Sequence, residues 1–407
     1  MGMELKIFAT LSIAVLAGST VSAQSFDPAP VKLTDGFSIV PQIDTVYRYN
    51  DNLYNSGTNP TSSSIYLLKP IIKFGSDDGI NRYGGVYSLT SANYSNSSDD
   101  NFLDQRLALL AHTEYTSRHR TDFKLGVENT HEDRGTGLTE GESNALSFDE
   151  PLKYNEISGK GYYQFGARSA LARLGAGINF ADKKYQNFTE ETKYRDTTTL
   201  GLFTDLEYAL GNVTYLTFDL SSTDLTYKHT YPGEASRDNR DSQALIGLKW
   251  KGLAKTTGEV KVGYQHKSFD DSNRESFNGS AVDLGVTWQP LLYSEFSAHV
   301  NRIAKEADNT IGDNTVADYI ETYGGSLAWA HHWNEQFTSE LQYLYTNEDY
   351  IGADRQDQTN VAMLDLSYSF TRWLKITAGY AYSDKDSNAS GISYDKNAVN
   401  LGVSVSL

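Results

Sequence analysis

The residue types that most often perform chemistry are present, but they do not follow the spacing of a known catalytic or metal site. Eight histidines are scattered along the 407 residues without the H-E-x-x-H spacing of zinc sites. There is no cysteine to act as a thiolate ligand, and no G-x-S-x-G sequence marks a nucleophilic serine. We therefore predict no catalytic residue, no bound metal and no cofactor. The alternative is an enzyme whose His and acid residues meet only in the folded chain.

Two short segments match known sites only in part. Residues 384–388 begin like a calcium loop, but Ala389 replaces the glycine of the sharp turn and Asp395 replaces the bidentate glutamate. This segment is interpreted as a solvated acidic loop. Gly175 and Gly177 lie inside a predicted strand with no helix after it, so they do not form a phosphate-binding loop. We interpret the pair as a packing feature or a bulge.

Charged side chains of both signs recur at alternate positions, opposite an apolar face. Asp219 shares its face with Tyr215 and Thr217, whereas Leu216 and Phe218 share the other face. A period of two is that of a β-strand. The charged face must avoid lipid, because a charge at the bilayer midplane costs about 2–4 kcal/mol. We predict that this face lines a polar interior, water-filled or occluded by a loop, to which the following residues contribute: Arg106, Glu114, Lys124, Glu128, Lys160, Arg173, Asp205, Glu207, Asp219, Lys249, Lys261, Asp283, Glu295, Glu340 and Asp365.

Short and long connections alternate between the predicted strands. Tight ones, such as Gly211-Asn212, alternate with long polar ones such as residues 230–240 and 304–317. Short turns on one rim and long loops on the other are typical of outer-membrane proteins. The predicted fold is all-β: a transmembrane antiparallel outer-membrane β-barrel of about 18 strands (16–18), from near Phe37 to near Leu407. A soluble β-sandwich or propeller is the structural alternative.

The positions of the tryptophans support the prediction of a membrane barrel. Four of them fall at predicted short turns, and indole rings prefer the boundary between lipid and water. We predict an aromatic girdle at the periplasmic rim and contact with outer-membrane lipid and lipopolysaccharide. The girdle residues are Trp250, Trp288, Trp333 and Trp373.

The two ends of the chain carry export and insertion signals. An apolar run followed by small residues predicts a signal peptide over residues 1–23, cleaved after Ala23, with a retained membrane anchor as the alternative. Residues 24–36 are then a short periplasmic segment, too short for a plug, and residues 37–407 are a single barrel domain. Asn400–Leu407 resembles the insertion signal of outer-membrane barrels, with Leu in place of the usual terminal Phe. The barrel-assembly machinery is therefore an expected partner. The net charge of −17 argues against nucleic acid as a partner.

The first predicted strand ends in a sequence that resembles a known family. Tyr49, Asp51, Asn52 and Tyr54 form a Tyr-x-Asp-Asn-x-aromatic sequence similar to the N-terminal hallmark of the putative β-barrel porin 2 family, and a Leu68-Lys69-Pro70 strand follows. The resemblance implies an outer-membrane barrel associated with exopolysaccharide or capsule export, with a periplasmic polysaccharide export protein as a partner. It implies no catalytic residue, because the motif is structural. Turn-forming residues at a strand end agree with that.

Three functions remain open at this point. An exit barrel for a polysaccharide would carry aromatic and mixed-charge residues inside. A general or sugar-selective diffusion porin would carry a basic or acidic constriction and form trimers. A barrel enzyme would need His and acid residues clustered at the outer rim.

Overall fold

The chain folds into a closed antiparallel barrel of 18 strands, as predicted. The computed structural model describes residues 26, 28–34, 36–307 and 317–406. The signal peptide predicted for residues 1–23 lies outside these residues, as does most of the loop predicted over residues 304–317. The barrel strands are β2 (Phe37–Asn50), β3 (Ser63–Asp77), β4 (Arg82–Tyr94), β5 (Phe102–Thr116), β6 (His119–Glu132), β7 (Leu152–Phe165), β8 (Ala172–Tyr185), β9 (Thr197–Ala209), β10 (Thr214–Tyr227), β11 (Asn239–Leu253), β12 (Thr256–Phe269), β13 (Phe277–Leu291), β14 (Ser294–Glu306), β15 (Tyr319–His332), β16 (Phe337–Ile351), β17 (Arg355–Thr371), β18 (Leu374–Ser387) and β19 (Tyr394–Ser406).

Each strand pairs with the next along the chain, and the last strand pairs with the first barrel strand. The closing pairs run from Ala398 opposite Asn50 to Ser406 opposite Gln42. The pairing of β19 with β2 removes the free sheet edges that an open sheet of this size would expose.

Connections sort by rim, with one exception. Turns such as residues 117–118, 254–255 and 372–373 lie on the rim that also carries both chain ends, whereas longer loops such as residues 133–151 lie on the other rim. The exception is the link between β16 and β17, which spans only residues 352–354 on the long-loop rim. This arrangement is the one expected of outer-membrane barrels, in which the short turns are periplasmic.

A short strand that was not predicted precedes the barrel. Strand β1 (Val31–Thr34) pairs with β2 where Val31 lies opposite Ile39. Because β19 reaches only to Gln42, this edge of β2 would otherwise lack a neighbour. We call the junction between β19 and β2 the seam. Strand β1 continues this junction along the part of β2 that β19 does not reach. Residue 26 lies near the same rim, where the Phe26 backbone N–H donates to Ser369 Oγ at 3.2 Å.

The cross-strand register gives the wall two distinct faces. Asp219 lies opposite Asp205 on β9 and opposite Leu245 on β11, so these three side chains share the inner face, and the residues before and after them along each strand point outwards. Leu202 and Leu220 lie on the other face and are 61% and 57% exposed. An exposed belt of Leu, Phe and Tyr facing outwards is typical of the lipid-facing surface of outer-membrane barrels.

Part of the inner face is apolar and is covered by loops. Ile65, Leu67 and Ala92 share the face of Arg106, yet they are only 2%, 7% and 1% exposed. Ala145, from the loop between β6 and β7, packs against them. We call residues 133–151 the crossing loop. The described helices are α1 (Glu142–Ser147) and α2 (Thr189–Thr192), with 3-10 turns at Ser98–Asp100, Gly137–Thr139 and Lys193–Arg195. None of these helices has the length and apolar character to cross a membrane.

Candidate functional site

The inner wall brings together the charged residues singled out from the sequence. The strand pairings place all fifteen on one face, the face of Asp219. They do not form one cluster, because they are spread from β5 to β17. Their role in conducting a solute stays a prediction.

The charges between β8 and β12 neutralise one another across neighbouring strands. Glu207 lies between two cations, with its carboxylate 2.6 Å from Arg173 Nη2 and 2.8 Å from Lys249 Nζ. Lys261 Nζ lies 2.8 Å from both Asp219 and Glu259. This part of the wall is hydrophilic but carries little net charge.

Two aromatic rings lie on the inner wall beside these ion pairs. The planes of Tyr162 and Phe203 are almost parallel, with an interplanar angle of 9° and ring centroids 6.0 Å apart. The Tyr162 hydroxyl donates to Asp205 Oδ2 at 3.1 Å. Lys160 Nζ lies 4.6 Å from the Phe203 centroid. We call Tyr162 and Phe203 the aromatic platform.

The glycine pair of β8 leaves room for the two rings. A Cβ on Gly175 would come within 2.1 Å of the Tyr162 hydroxyl, and a Cβ on Gly177 within 2.3 Å of Phe203 Cζ. Neither glycine shifts the register of β8 with its neighbours. The structure therefore decides for packing and against a bulge. A glycine opposite an inward aromatic residue is the sequence signal for such an arrangement.

Substituting one of these glycines provides a test of this packing. In Gly177→Ala, the new methyl group would also lie 2.6 Å from the backbone oxygen of Gly161, which cannot easily move. We expect a loss of about 1–3 kcal/mol in the free energy of unfolding, the usual cost of overpacking. The measurement is the temperature at which the SDS-resistant folded form disappears on a gel.

Gly211→Ala is the matched control, since a Cβ there would meet nothing within 4 Å. The control should melt with the wild type. Equal melting of Gly177→Ala and wild type would show that the ring does not need the glycine.

The crossing loop is anchored at its start by a buried cation. Arg134 donates from Nε and Nη2 to both oxygens of Asp100 at 2.7 Å, and from Nη2 to the Tyr54 hydroxyl at 2.7 Å. It also donates to the Phe148 carbonyl at 2.8 Å, which ties the two ends of the loop together. Burial opposes the charged form, but the hydrogen bonds and charge of Asp100 outweigh burial and raise the pKa of Arg134. The guanidinium therefore stays charged.

Further along, the loop is fastened to the opposite side of the seam. Glu140 accepts from Arg355 Nη2 at 2.6 Å and from Lys385 Nζ at 2.5 Å, at the outer ends of β17 and β18. Asp357, which is 1% exposed, accepts from the same two cations. We call these four residues the latch. Since β6 and β18 are six strands apart around the wall, the loop narrows the mouth of the barrel.

A second contact of the loop is exposed and responds to pH. Glu142 accepts hydrogen bonds from Thr58 at 2.6 Å and Ser56 at 2.7 Å. Hydrogen bonds from Thr58, Ser56 and Asn59 hold the pKa of Glu142 below its usual value. A lowered carboxyl pKa stabilises the docked loop above the ordinary pKa and loses that effect as the pH falls through the lowered one.

The residues that carry the family resemblance close the seam and hold the crossing loop. The Asp51 carboxylate accepts from the Asn397 backbone N–H at 2.7 Å and from its side-chain amide at 2.8 Å. Asn52, which is 2% exposed, donates to the carbonyls of Ser56 and Asp395. Tyr54 contacts Arg134, as described above. Tyr49 points to the outer face and is 41% exposed.

The four tryptophans lie at the short-turn rim. Trp250 and Trp288 lie near the ends of β11 and β13, and Trp333 and Trp373 lie in turns. Exposure of Trp288, Trp333 and Trp373 is 47%, 57% and 46%. Trp329 extends the group, stacked on Phe296 at 6.0 Å. Their contact with lipid stays a prediction.

One histidine at the outer rim lies between two acids, as the enzyme alternative requires. His131 Nδ1 is 2.8 Å from Asp104 and Nε2 is 3.1 Å from Asp133. Because a carboxylate occupies each ring nitrogen, this histidine has no free nitrogen to activate a nucleophile. Within the described parts of the chain, no three His, Asp or Glu side chains are grouped as metal ligands.

Comparison with known proteins agrees with this architecture. A family model described as putative beta-barrel porin 2 matches residues 26–407. No curated protein matches the chain in sequence. A BenF-like porin from Pseudomonas fluorescens Pf-5 is similar in structure, with a TM-score of 0.50 and 12% identity over 92% of this chain and 100% of that chain.

Two further solved structures are similar at lower scores. OccK3 (OpdO) from Pseudomonas aeruginosa has a TM-score of 0.49 at 12% identity, over 92% of this chain and 97% of that chain. The siderophore receptor PirA from Acinetobacter baumannii has a TM-score of 0.48 at 8% identity, over 93% of this chain and 81% of that chain. At such identities only the fold is compared.

Proposed function

The chain belongs to the putative beta-barrel porin 2 family, and from this premise we propose that it is the outer-membrane exit for a secreted polysaccharide. It is a porin-like outer-membrane β-barrel conduit. What such a conduit carries depends on the side chains of its inner wall.

The aromatic platform is the observation that carries the proposal. A sugar ring has an apolar face that packs on an aromatic ring and hydroxyl groups that need hydrogen-bonding partners. Tyr162 and Phe203 offer two almost parallel rings, with Asp205 at the Tyr162 hydroxyl and Lys160 above the Phe203 ring. The arrangement therefore suits a sugar ring lying along the wall.

Distributed weak contacts also suit a polymer that must slide. One tight site would hold the chain, whereas many weak sites let it advance, by the logic of conducting pores. The fifteen inner-face residues supply hydrogen-bonding groups from β5 to β17. On this proposal they line the path of the polymer.

The remaining parts of the proposal concern targeting and partners. Residues 1–23 are removed as a signal peptide, and residues 24–36 and 37–407 form the periplasmic segment and the barrel. The four girdle tryptophans contact lipid, and Asn400–Leu407 engages the barrel-assembly machinery. A periplasmic polysaccharide export protein delivers the polymer to the short-turn rim, and no catalytic step occurs in the barrel.

Deleting the gene and complementing it with platform variants tests the proposal. The deletion should abolish surface polysaccharide and leave uptake of small nutrients unchanged. Complementation with Tyr162→Leu/Phe203→Leu should restore folded barrel but reduce export about tenfold, since each lost ring contact is worth about 0.5–1.5 kcal/mol. Phe218→Leu, on the outer face of β10, is the matched control and should restore export fully.

The alternative is a general or sugar-selective diffusion porin. A deletion strain that secretes normal polysaccharide but loses permeability to a small nutrient would favour this alternative and overturn the export proposal. The quantity of folded barrel, measured by its mobility shift on heating, separates an export defect from a folding defect.

A further inference from the structure

The charges of the inner wall that ion pairs leave over differ between two arcs. On the inner face of β2 to β7 several cations have no ion-pair partner among the described residues, whereas the charges midway along β13 to β17 are carboxylates. The basic arc comprises Arg48, Lys69, Lys73, Arg106, Lys124 and Lys160, accompanied by Asp44, Glu128 and Glu156. The other carboxylates on this face lie nearer the rims and are each within ion-pair distance of a cation or a histidine: Asp77, Asp104, Glu114, Asp122 and Glu132. The acidic arc comprises Asp283, Glu295, Glu340 and Asp365.

Three lysines of the basic arc form no ion pair among the described residues, although Asp44 is the cross-strand neighbour of Lys69. Lys124 and Lys160 lie directly opposite each other across β6 and β7. In the described part of the chain, no carboxylate lies within ion-pair distance of Lys69, Lys124 or Lys160. Lys249 and Lys261 differ, because each contacts a carboxylate at 2.8 Å. Positive charge is therefore available to a solute along β2 to β7.

Two neighbouring carboxylates form the centre of the acidic arc, whereas Asp283 contacts His299 Nε2 at 2.7 Å. Glu340 and Asp365 lie opposite each other across β16 and β17. Among the described residues, none places a cation within ion-pair distance of either carboxylate. Strand β15, between Glu295 and Glu340, presents uncharged residues such as Ser326 and Ala328 on this face.

The two arcs face each other across the lumen. Strands β18 and β19 separate them on one side and β8 to β12, with their neutral ion pairs, on the other. Charges of opposite sign on facing walls produce a transverse potential that sorts solutes by charge. An anionic chain is attracted to one wall and repelled by the other.

We propose that the exported polymer is an anionic polysaccharide that travels along the basic arc. This inference rests on the proposed export function and names the class of its substrate. The aromatic platform lies at the end of the basic arc, with Lys160 above Phe203. A sugar acid stacked on Tyr162 would place its carboxylate near the Lys160 ammonium, so one subsite recognises both the ring and its charge.

Block of ion current through the purified full-length barrel in a planar bilayer tests the proposal. The probes are a galacturonic acid hexamer, which is anionic, and maltohexaose, which has the same length and no charge. The anionic probe should block wild-type current at lower concentration than maltohexaose, and rising salt should weaken that block.

Removing the free lysines should remove the preference. In Lys124→Gln/Lys160→Gln the block by the galacturonic acid hexamer should weaken about tenfold, the size expected from two solvent-exposed charge pairs. Block by maltohexaose should not change. Lys184→Gln removes the same charge from the exposed outer face and is the matched control. Glu340→Gln/Asp365→Asn should strengthen the anionic block.

Each other outcome contradicts a specific step. If maltohexaose blocks as well as the anionic hexamer, the inference fails and export of a neutral polymer stands. If neither oligosaccharide blocks a barrel that conducts ions, the export function itself fails. If the lysine variant binds the anionic hexamer like the wild type, the basic arc is not the path.

Discussion

Replacing Glu140 by Gln is expected to release the crossing loop from the far side of the seam. The substitution keeps the shape of the side chain but leaves the buried cations Arg355 and Lys385 with Asp357 as their remaining acidic partner in the latch. Breaking a buried ion pair costs about 3–5 kcal/mol. A loss at the low end of that range would raise the undocked fraction of the loop by about 100-fold.

Single-channel conductance is the measurement for this variant. A released loop should produce larger and noisier openings than the wild type. Glu190→Gln is the matched control, because Glu190 forms an exposed pair with Lys193 in another loop. Identical conductance of Glu140→Gln and wild type would show that the latch does not hold the mouth narrow.

Arg134→Ala is expected to unfold the crossing loop rather than merely undock it. The change removes a cation that bonds Asp100, Tyr54 and the Phe148 carbonyl, and it leaves Asp100 buried without its counterion. The expected loss is about 3–5 kcal/mol for the loop. The barrel wall should survive, because its backbone groups are paired between strands.

Limited proteolysis of the folded barrel checks this expectation. Cleavage within residues 133–151 should become rapid in Arg134→Ala while the wall stays resistant to SDS. Arg168→Ala removes an arginine whose side chain is 59% exposed and should leave the loop protected. If the crossing loop stays protected in Arg134→Ala, its apolar contacts alone are enough to keep it folded.

The strands could be predicted from the sequence because their periodicity is local. Leu216, Phe218 and Asp219 alternate within one strand, so no distant residue is needed to assign their faces. The same alternation placed the fifteen inner-face residues on a common side. It does not show which of them are paired: the contact of Glu207 with Lys249 depends on the register of β9, β10 and β11.

The docking of the crossing loop could not be predicted in the same way. Glu140 is separated from Arg355 by 215 residues and from Lys385 by 245, and no local pattern connects them. One signal was nevertheless present. Ile65 to Leu68 is apolar on both faces, and a strand apolar on both faces needs cover on its inner side as well as lipid on its outer side.

The seam between β19 and β2 has a consequence for the order of folding. Asp51 and Asn397 are 346 residues apart, so the clamp between them forms only after every other strand has been synthesised and delivered. Until then the growing sheet has two open edges, each able to pair with another chain. A chain truncated before residue 394 would keep both edges open, and its fate is aggregation or degradation. The barrel can therefore close only when its last strand, β19, is present.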